Sequence, residues 1–385
     1  MKKIIIYITV LSIIFALSGC GKKDPADAET TAASTSVSKN DPDNSHPEEA
    51  TTPIYAAQEP MTSVYLPIQV SDTTAQDGTV IFRQGQQSMV LIAEDPDVAD
   101  RIILDFLSRT DSDSDIRDTI ESARTMYANG YNYLPLWQQT AYAPARVDQS
   151  ILSLYGYSRT YLGGVHPDTV CRSVTYDMLT GNALTLPDIL LEGISMDTLC
   201  TMVCTALEAR SSNLFPDYAT LVEELFQKSI TEYSEWYLSS EGLCFYFSPY
   251  EIAAYSANDI VVTLPYNKLT GTLQDAYFPA EQDIAHGVLN QSAFDDEFIT
   301  LFTQIAEVEL GATGRKVILH TDYSIHNIRI EQTVPSIGSN EYNETRTIFG
   351  AAALTPGDAI VITIPEGMEV SVSYTAYGST ITEPV

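Results

Sequence analysis

Apolar residues recur along this chain at two different spacings, and the order in which those spacings appear limits the folds it can adopt. Helical spacing links Val98, Ile102, Ile103, Phe106 and Leu107, and again Ile116, Ile120, Ala123 and Tyr127. Strand-forming stretches follow, from Val147 to Leu162 and then through Val170, Val174 and Tyr176 to a Thr180-Gly181 turn. Helical stripes return at Met196, Leu199, Cys200, Val203, Cys204 and Leu207, and at Tyr218, Leu221, Val222, Leu225 and Phe226 just after Pro216-Asp217. Trp236 and Leu238 then run through Glu241-Gly242 into Leu243, Phe245 and Phe247, a hairpin pattern, and Ile260 to Leu264 adds a short strand. Helices and strands in this order predict an α+β fold with antiparallel sheets, not a regular βαβ alternation.

A boundary is expected near Ala280 to Asn290. Beyond it, Phe294, Phe298, Leu301, Phe302 and Ile305 fit one helix. Val317 to Val334, Ala359 to Ile364 and Met368 to Ala376 fit strands separated by Pro356-Gly357 and Glu366-Gly367 turns, so this end reads as a small β-rich, sandwich-like module. No repeat of fixed period is present, which excludes solenoids and propellers.

The N-terminus predicts location. Met1-Lys2-Lys3 precedes the apolar run Ile4 to Leu17, which is too short to span ~30 Å of hydrocarbon as a helix and has the form of a secretion signal. Leu17-Ser18-Gly19-Cys20 resembles the bacterial lipobox, which implies cleavage before Cys20 and its acylation by palmitate-like chains, a membrane anchor on the outer face of the cell membrane. From Gly21 to about Pro60 the chain is rich in Asp, Glu, Ala, Ser, Thr and Pro and cannot bury enough apolar surface to offset its ordering entropy, so a disordered tether is expected.

Landmarks between Ser153 and Leu269 carry a second resemblance. They are Tyr161-Leu162-Gly163-Gly164-Val165-His166-Pro167, Tyr176-Asp177, Thr180-Gly181, Leu184, Leu186 and Asp188. Further along come Leu243, Phe245 through Ala253, and Leu264-Pro265-Tyr266 followed by Leu269. This stretch resembles an extracytoplasmic domain family known from the outer half of a lysozyme-sensing anti-sigma factor and from the non-catalytic part of some peptidoglycan deacetylases, and about Thr62 to Leu152 resembles its usual companion domain. The resemblance implies a sensor-like domain that binds an envelope ligand, lysozyme or peptidoglycan. With only Met1-Lys2-Lys3 before the apolar run, direct contact with a cytoplasmic sigma factor is not expected. The organisation read from the chain is a signal peptide at 1–19, a lipidated cysteine and tether at 20–60, a companion domain at 61–152, a sensor-like domain at 153–285 and the β-rich module at 286–385.

Charge narrows the partners. The chain has 20 Lys+Arg against 51 Asp+Glu, a formal net charge of −31, so phosphate neutralisation and hence nucleic-acid binding are excluded. Neutral or cationic ligands fit, and a cationic lysozyme would be attracted at low salt. Catalytic and cofactor patterns fail on inspection. Ala293-Phe294-Asp295-Asp296 lacks the Thr and Gly of a deacetylase metal motif, and His320 and His326 are spaced wrongly for its histidine pair. Asp111, Asp113 and Asp115 open like a calcium loop, but Ile116 and Ser122 stand where Gly and Glu are required. The chain therefore reads as a binder without enzyme activity, metal or cofactor. The alternative is a structural or scaffold lipoprotein that docks a membrane protein partner.

Candidate binding residues are His166, Tyr161 and Tyr250 from the landmarks, and Tyr131 and Trp137 from a tyrosine-rich, loop-like segment that also holds Tyr127 and Tyr133. For each, a structural use in turns or core stands beside the binding one. Four cysteines follow Cys20. Cys200 and Cys204 lie one helical turn apart in an apolar stripe, as buried thiols do, whereas Cys171 and Cys244 are the best candidates for a disulfide between strands.

Overall fold

The protein is described by a computed structural model over residues 61–110, 113–131, 135–227, 235–257, 260–280, 285 and 287–385. The signal peptide, Cys20, the tether, Asp111 and Tyr133 lie outside these residues. Strands come first: β1 (Ser63–Tyr65), β2 (Ile68–Thr74), β3 (Val80–Gln87) and β4 (Val90–Ile92) precede α1 (Pro96–Thr110) and α2 (Asp113–Ala128). The long strands β5 (Leu136–Val147), β6 (Ile151–Tyr161) and β7 (Asp168–Asp177) follow, with the short β8 (Ala183–Leu184). Then come α3 (Leu186–Ile189), α4 (Met196–Leu207) and α5 (Tyr218–Phe226), the strands β9 (Trp236–Leu238), β10 (Gly242–Phe247) and β11 (Ile260–Pro265), and the one-turn α6 (Tyr266–Leu269). The strands that follow are β12 (Leu289–Ala293), β13 (Gln304–Glu309), β14 (Arg315–Thr321), β15 (Ile325–Ser336), β16 (Ser339–Leu354), β17 (Asp358–Ile364), β18 (Glu369–Ala376) and β19 (Ser379–Pro384). Among the described residues, no helix is long and apolar enough to cross a membrane.

Among the described residues four sheets result, ordered β2-β3-β5-β6-β7-β8, β11-β10-β9, β12-β14-β17-β13 and β19-β18-β15-β16-β1-β4. Pairing is antiparallel except between β3 and β5 and between β13 and β17, so the α+β expectation holds. Two junctions cross the sequence boundaries. Position 152/153 falls inside β6, and β1 pairs with β16 in the register Ser63↔Ala351.

Two strands show how alternation builds layers. In β10, Leu243, Phe245 and Phe247 point into a core shared with α4 and α5, while Cys244 and Tyr246 point the other way, onto Ala145 and Cys171 of the first sheet. A strand buried on both faces has no polar side, and every residue from Gly242 to Phe247 is buried. Complete burial of each of these Phe rings is worth about 1.5–3 kcal/mol. In β17, Ile360, Ile362 and Ile364 face the sheet holding β15 and β16, and Ala359 and Val361 face away.

The outward face of β17 accounts for a misreading. Phe294, Phe298 and Phe302 were expected on a helix, but β12 ends at Ala293, a single 3-10 turn spans Phe298–Leu301, and β13 begins at Gln304. Asp295 accepts hydrogen bonds from the Glu297 and Phe298 N–H groups, which turns the chain and lays the three rings as a flap over Ile318, Ala359 and Val361. Residues four apart can meet one surface on a short flap as readily as on a helix.

His320 lies under this flap, within ring contact of Phe298 (5.2 Å) and Phe302 (5.6 Å), with its Nε2 3.0 Å from Ser292 Oγ. His326 sits on β15 instead, so the two imidazoles serve different strands. Burial holds the His320 pKa below its usual 6.5, with Asp322 opposing. A folded state that disfavours the proton loses stability as pH falls from 6.5 toward the lower folded value, because the unfolded chain takes up the proton first. Urea unfolding midpoints should therefore fall more steeply in the native protein than in His320→Gln across that window. Parallel curves would show that His320 does not contribute.

Candidate functional site

The hairpin tip between β6 and β7 and the loop after β10 meet at one surface. Gly163 (φ 88°) and Gly164 (φ 147°) adopt backbone angles that side chains disfavour, and they let the chain reverse within Leu162 to Pro167. Tyr161 fastens this reversal: its hydroxyl donates to Gly164 O (3.1 Å) and accepts from Gly164 N–H (3.3 Å). The tip presents Val165, fully exposed, beside Leu162, half exposed.

The second loop is held by Ser248 and Glu251. Cys171 N–H on β7 donates to Ser248 Oγ (3.0 Å), which docks the loop beside the start of that strand. Ser248 N–H donates to the Glu251 carboxylate (2.6 Å) and Glu251 N–H to Ser248 O (3.1 Å), closing a turn in which Tyr250 takes φ 70°. A tyrosine in the left-handed region is uncommon and costs on the order of 1 kcal/mol. The residue is 58% exposed, so core packing does not repay that cost.

These loops bring three rings together. His166 stacks on Tyr255 (centroids 4.2 Å apart, planes at 18°) and lies 6.2 Å from Tyr250, and Tyr250 and Tyr255 are 5.8 Å apart. His166 Nδ1 sits 3.2 Å from Pro167 O, which favours the Nδ1–H tautomer and leaves Nε2 to accept from the Tyr250 hydroxyl at 3.4 Å. Residues 166 and 250 are far apart in sequence, and Tyr255 completes the cluster without any pattern of its own to announce it. The arrangement offers ring faces, a hydroxyl and two apolar knobs on an exposed surface, which suits recognition of another molecule.

The other candidates divide. Trp137 is buried on β5, 7% exposed and stacked on Tyr161 at 6.2 Å, so it belongs to the core and not to a loop surface. The reason is that β5 carries apolar residues on both faces, which hides the two-residue period. Tyr127 lies within α2, where its hydroxyl donates to Asp77 (2.5 Å), and Tyr131 is exposed just beyond that helix. The expected disulfide is not formed. Cys171 and Cys244 lie in one apolar cluster with Ala145, Tyr237 and Tyr246 with no disulfide between them, and Cys244 Sγ is 3.3 Å from Thr263 Oγ1. Burial pushes the Cys200 thiol up to about 12 and raises those of Cys204 and Cys244, the behaviour of packed, unreactive thiols. Among the described residues, no group of three or more His, Cys, Asp or Glu side chains is arranged to hold a metal ion.

A mixed α+β protein with an exposed aromatic cluster at a hairpin tip is the class these features define. Within it, residues 188–267 match the family model DUF3298, described as a protein of unknown function. This span includes Tyr250 and Tyr255, whereas His166 lies before it. Two solved structures are similar. A DUF3298 family member from Bacteroides fragilis is 14% identical, covers 55% of this chain and 94% of its own, and superposes with a TM-score of 0.42. A DUF3298 family protein from Pseudomonas aeruginosa PAO1 is 16% identical, covers 57% of this chain and 97% of its own, and gives 0.41. No curated protein matches the chain.

Proposed function

We propose that this protein is a membrane-anchored cell-envelope lipoprotein that binds an extracellular ligand, lysozyme or peptidoglycan, through the surface formed by Leu162, Val165, His166, Tyr250 and Tyr255. The observation that carries this reading is the strained, exposed Tyr250 ring set against His166 and Tyr255 by two independently fastened loops. Rings held in place before binding lose little side-chain entropy when a ligand arrives. The lipobox-like Cys20 and the resemblance of residues 153–269 to lysozyme-sensing domains support the location and the ligand class. The net charge of −31 favours encounter with a cationic protein. Nothing in the proposal requires chemistry on the ligand.

Calorimetry tests it, with residues 57–385, which make up one compact unit, titrated with a cationic lysozyme and with soluble peptidoglycan fragments at low and high salt. Saturable binding of one ligand that persists at high salt is expected. Tyr250→Ala should weaken it about thirtyfold, the ~2 kcal/mol typical of a central aromatic contact, while leaving the thermal midpoint unchanged. Absence of binding to both ligands, or a Tyr250→Ala variant that binds as well as the native protein, would sink the reading.

A scaffold role is the second reading, and one observation favours it. Val288, Tyr323 and Tyr377 are each more than half exposed on the β-rich module, where Tyr377 N–H donates to Ala285 O at 2.7 Å. Cross-linking in cells that recovers a membrane protein, and neither lysozyme nor glycan, would favour it.

A further inference from the structure

A protein this rich in strand has to stop its sheets from pairing further, and most of its edges do so visibly. β4, β8 and β9 have three residues or fewer, β11 ends at Pro265, and β19 ends in Glu383-Pro384. β13 carries Glu307 and Glu309, and the Tyr65 hydroxyl occupies the Glu309 carbonyl. β12 is crossed by the Gln291 side chain, which donates to Pro384 O at 2.9 Å.

β2 has none of these devices. Its seven residues, Ile68-Gln69-Val70-Ser71-Asp72-Thr73-Thr74, include no Pro and no Lys, and among the described residues its one sheet neighbour is β3. The direction of its free groups follows from the ladder. Ser88 N–H donates to Pro67 O (3.0 Å), so Ile68↔Gln87 is a pair without mutual hydrogen bonds. By alternation, Gln69 and Ser71 bond to β3, while Ile68, Val70 and Asp72 turn their N–H and C=O groups outward. The edge is also locally neutral on an acidic chain: Asp72 is its only charge, and Arg83 pairs with it at 2.7 Å. Val70 is 55% exposed.

We propose that β2 is a self-complementary edge through which two copies of this chain pair antiparallel, about a two-fold axis at Val70. In that register Val70 faces Val70 of the second copy, Gln69 faces Ser71, and Ile68 faces Asp72. Each outward N–H then meets an outward C=O, and no carboxylate opposes another. An isologous contact of this kind closes on itself as a dimer. Two copies with a net charge of −31 each repel at long range, so the dimer strengthens as salt is raised, the opposite of attraction between unlike charges.

Sedimentation equilibrium of residues 57–385 across a wide concentration range, at low and high salt, is the test. The native protein should show a monomer–dimer equilibrium that tightens with salt. Val70→Pro removes an outward donor only, and Val70→Lys sets two like charges across the axis. Both should weaken dimerisation at least about tenfold, with the thermal midpoint unchanged. Ser71→Pro removes an inward donor and should lower the thermal midpoint, which checks the assigned direction. A native protein that stays monomeric, a dimer that survives Val70→Pro, or one that salt dissociates would each overturn the proposal.

Discussion

Replacing Arg146 with Ala should destabilise the protein by about 3–5 kcal/mol, the cost of removing one partner from a buried ion pair. The Arg146 side chain is 4% exposed. Its Nε donates to Asp148 (2.6 Å), one terminal nitrogen donates to the Tyr266 hydroxyl (2.8 Å) and Tyr277 O (2.6 Å), and the other donates to Phe278 O (3.4 Å). It therefore ties β5 to the segment that closes the domain around α6. The register of β5 on β6 shifts between Pro144 and Arg146, and this irregularity turns the Ala145 carbonyl toward Arg329 of β15, which donates to it at 2.9 Å. One bulge thus positions the Arg146 side chain and presents the adjacent Ala145 carbonyl to Arg329. Arg146→Lys keeps the charge without the planar fork and should fall between the native protein and Ala. Urea unfolding followed by the fluorescence of Trp137 and Trp236, which lie on β5 and β9, gives the values. A loss below about 1 kcal/mol for Arg146→Ala would show that water replaces the guanidinium's partners.

Gly156→Ala should cost about 3 kcal/mol or prevent folding, although it adds a single methyl group. A Cβ at position 156 would lie 1.9 Å from Ala141 O and 2.8 Å from the Cα of Tyr142. Both obstacles are backbone of the neighbouring strand, so no rotamer change relieves the clash, and β5 and β6 must separate in the middle of their sheet. Gly367→Ala is the control. It lies in a turn where an added Cβ meets nothing, and it should cost only the strain of its φ of 77°. Equal losses at the two positions would mean that the strands part easily and that the contact is not limiting.

Local patterns were legible and meetings between distant segments were not. The α4 stripe at Leu199, Cys200, Val203 and Leu207 is the buried face of that helix, and the Trp236 to Phe247 hairpin pairs with Leu238 opposite Leu243. Both are set by neighbours within a few residues. The flap at Phe294 to Phe302 was misread because apolar spacing alone does not separate a helix from a turn laid on a sheet. The site lies between these cases. The Gly-Gly reversal and the Ser248-Pro249 turn mark their loops in the sequence, yet the bond from Cys171 N–H to Ser248 Oγ that brings Tyr250 to His166 depends on how the sheet holding β10 packs on the sheet holding β7, which no local signal encodes.

Pairing of β1 with β16 has a consequence for the order in which the protein can form. The three residues of β1 are inserted between β4 and β16, and Ser63 and its partner Ala351 are separated by about 290 residues of chain. Closing so long a loop carries an entropy cost that local contacts cannot repay, and such non-local pairing is slow. A ribosome delivering this chain from its N-terminus exposes Met61 and Tyr65 long before the core they share with Ile348 and Phe349 exists, and both must stay out of wrong partnerships until β16 arrives. The first of the described strands to emerge is thus among the last to be fully paired.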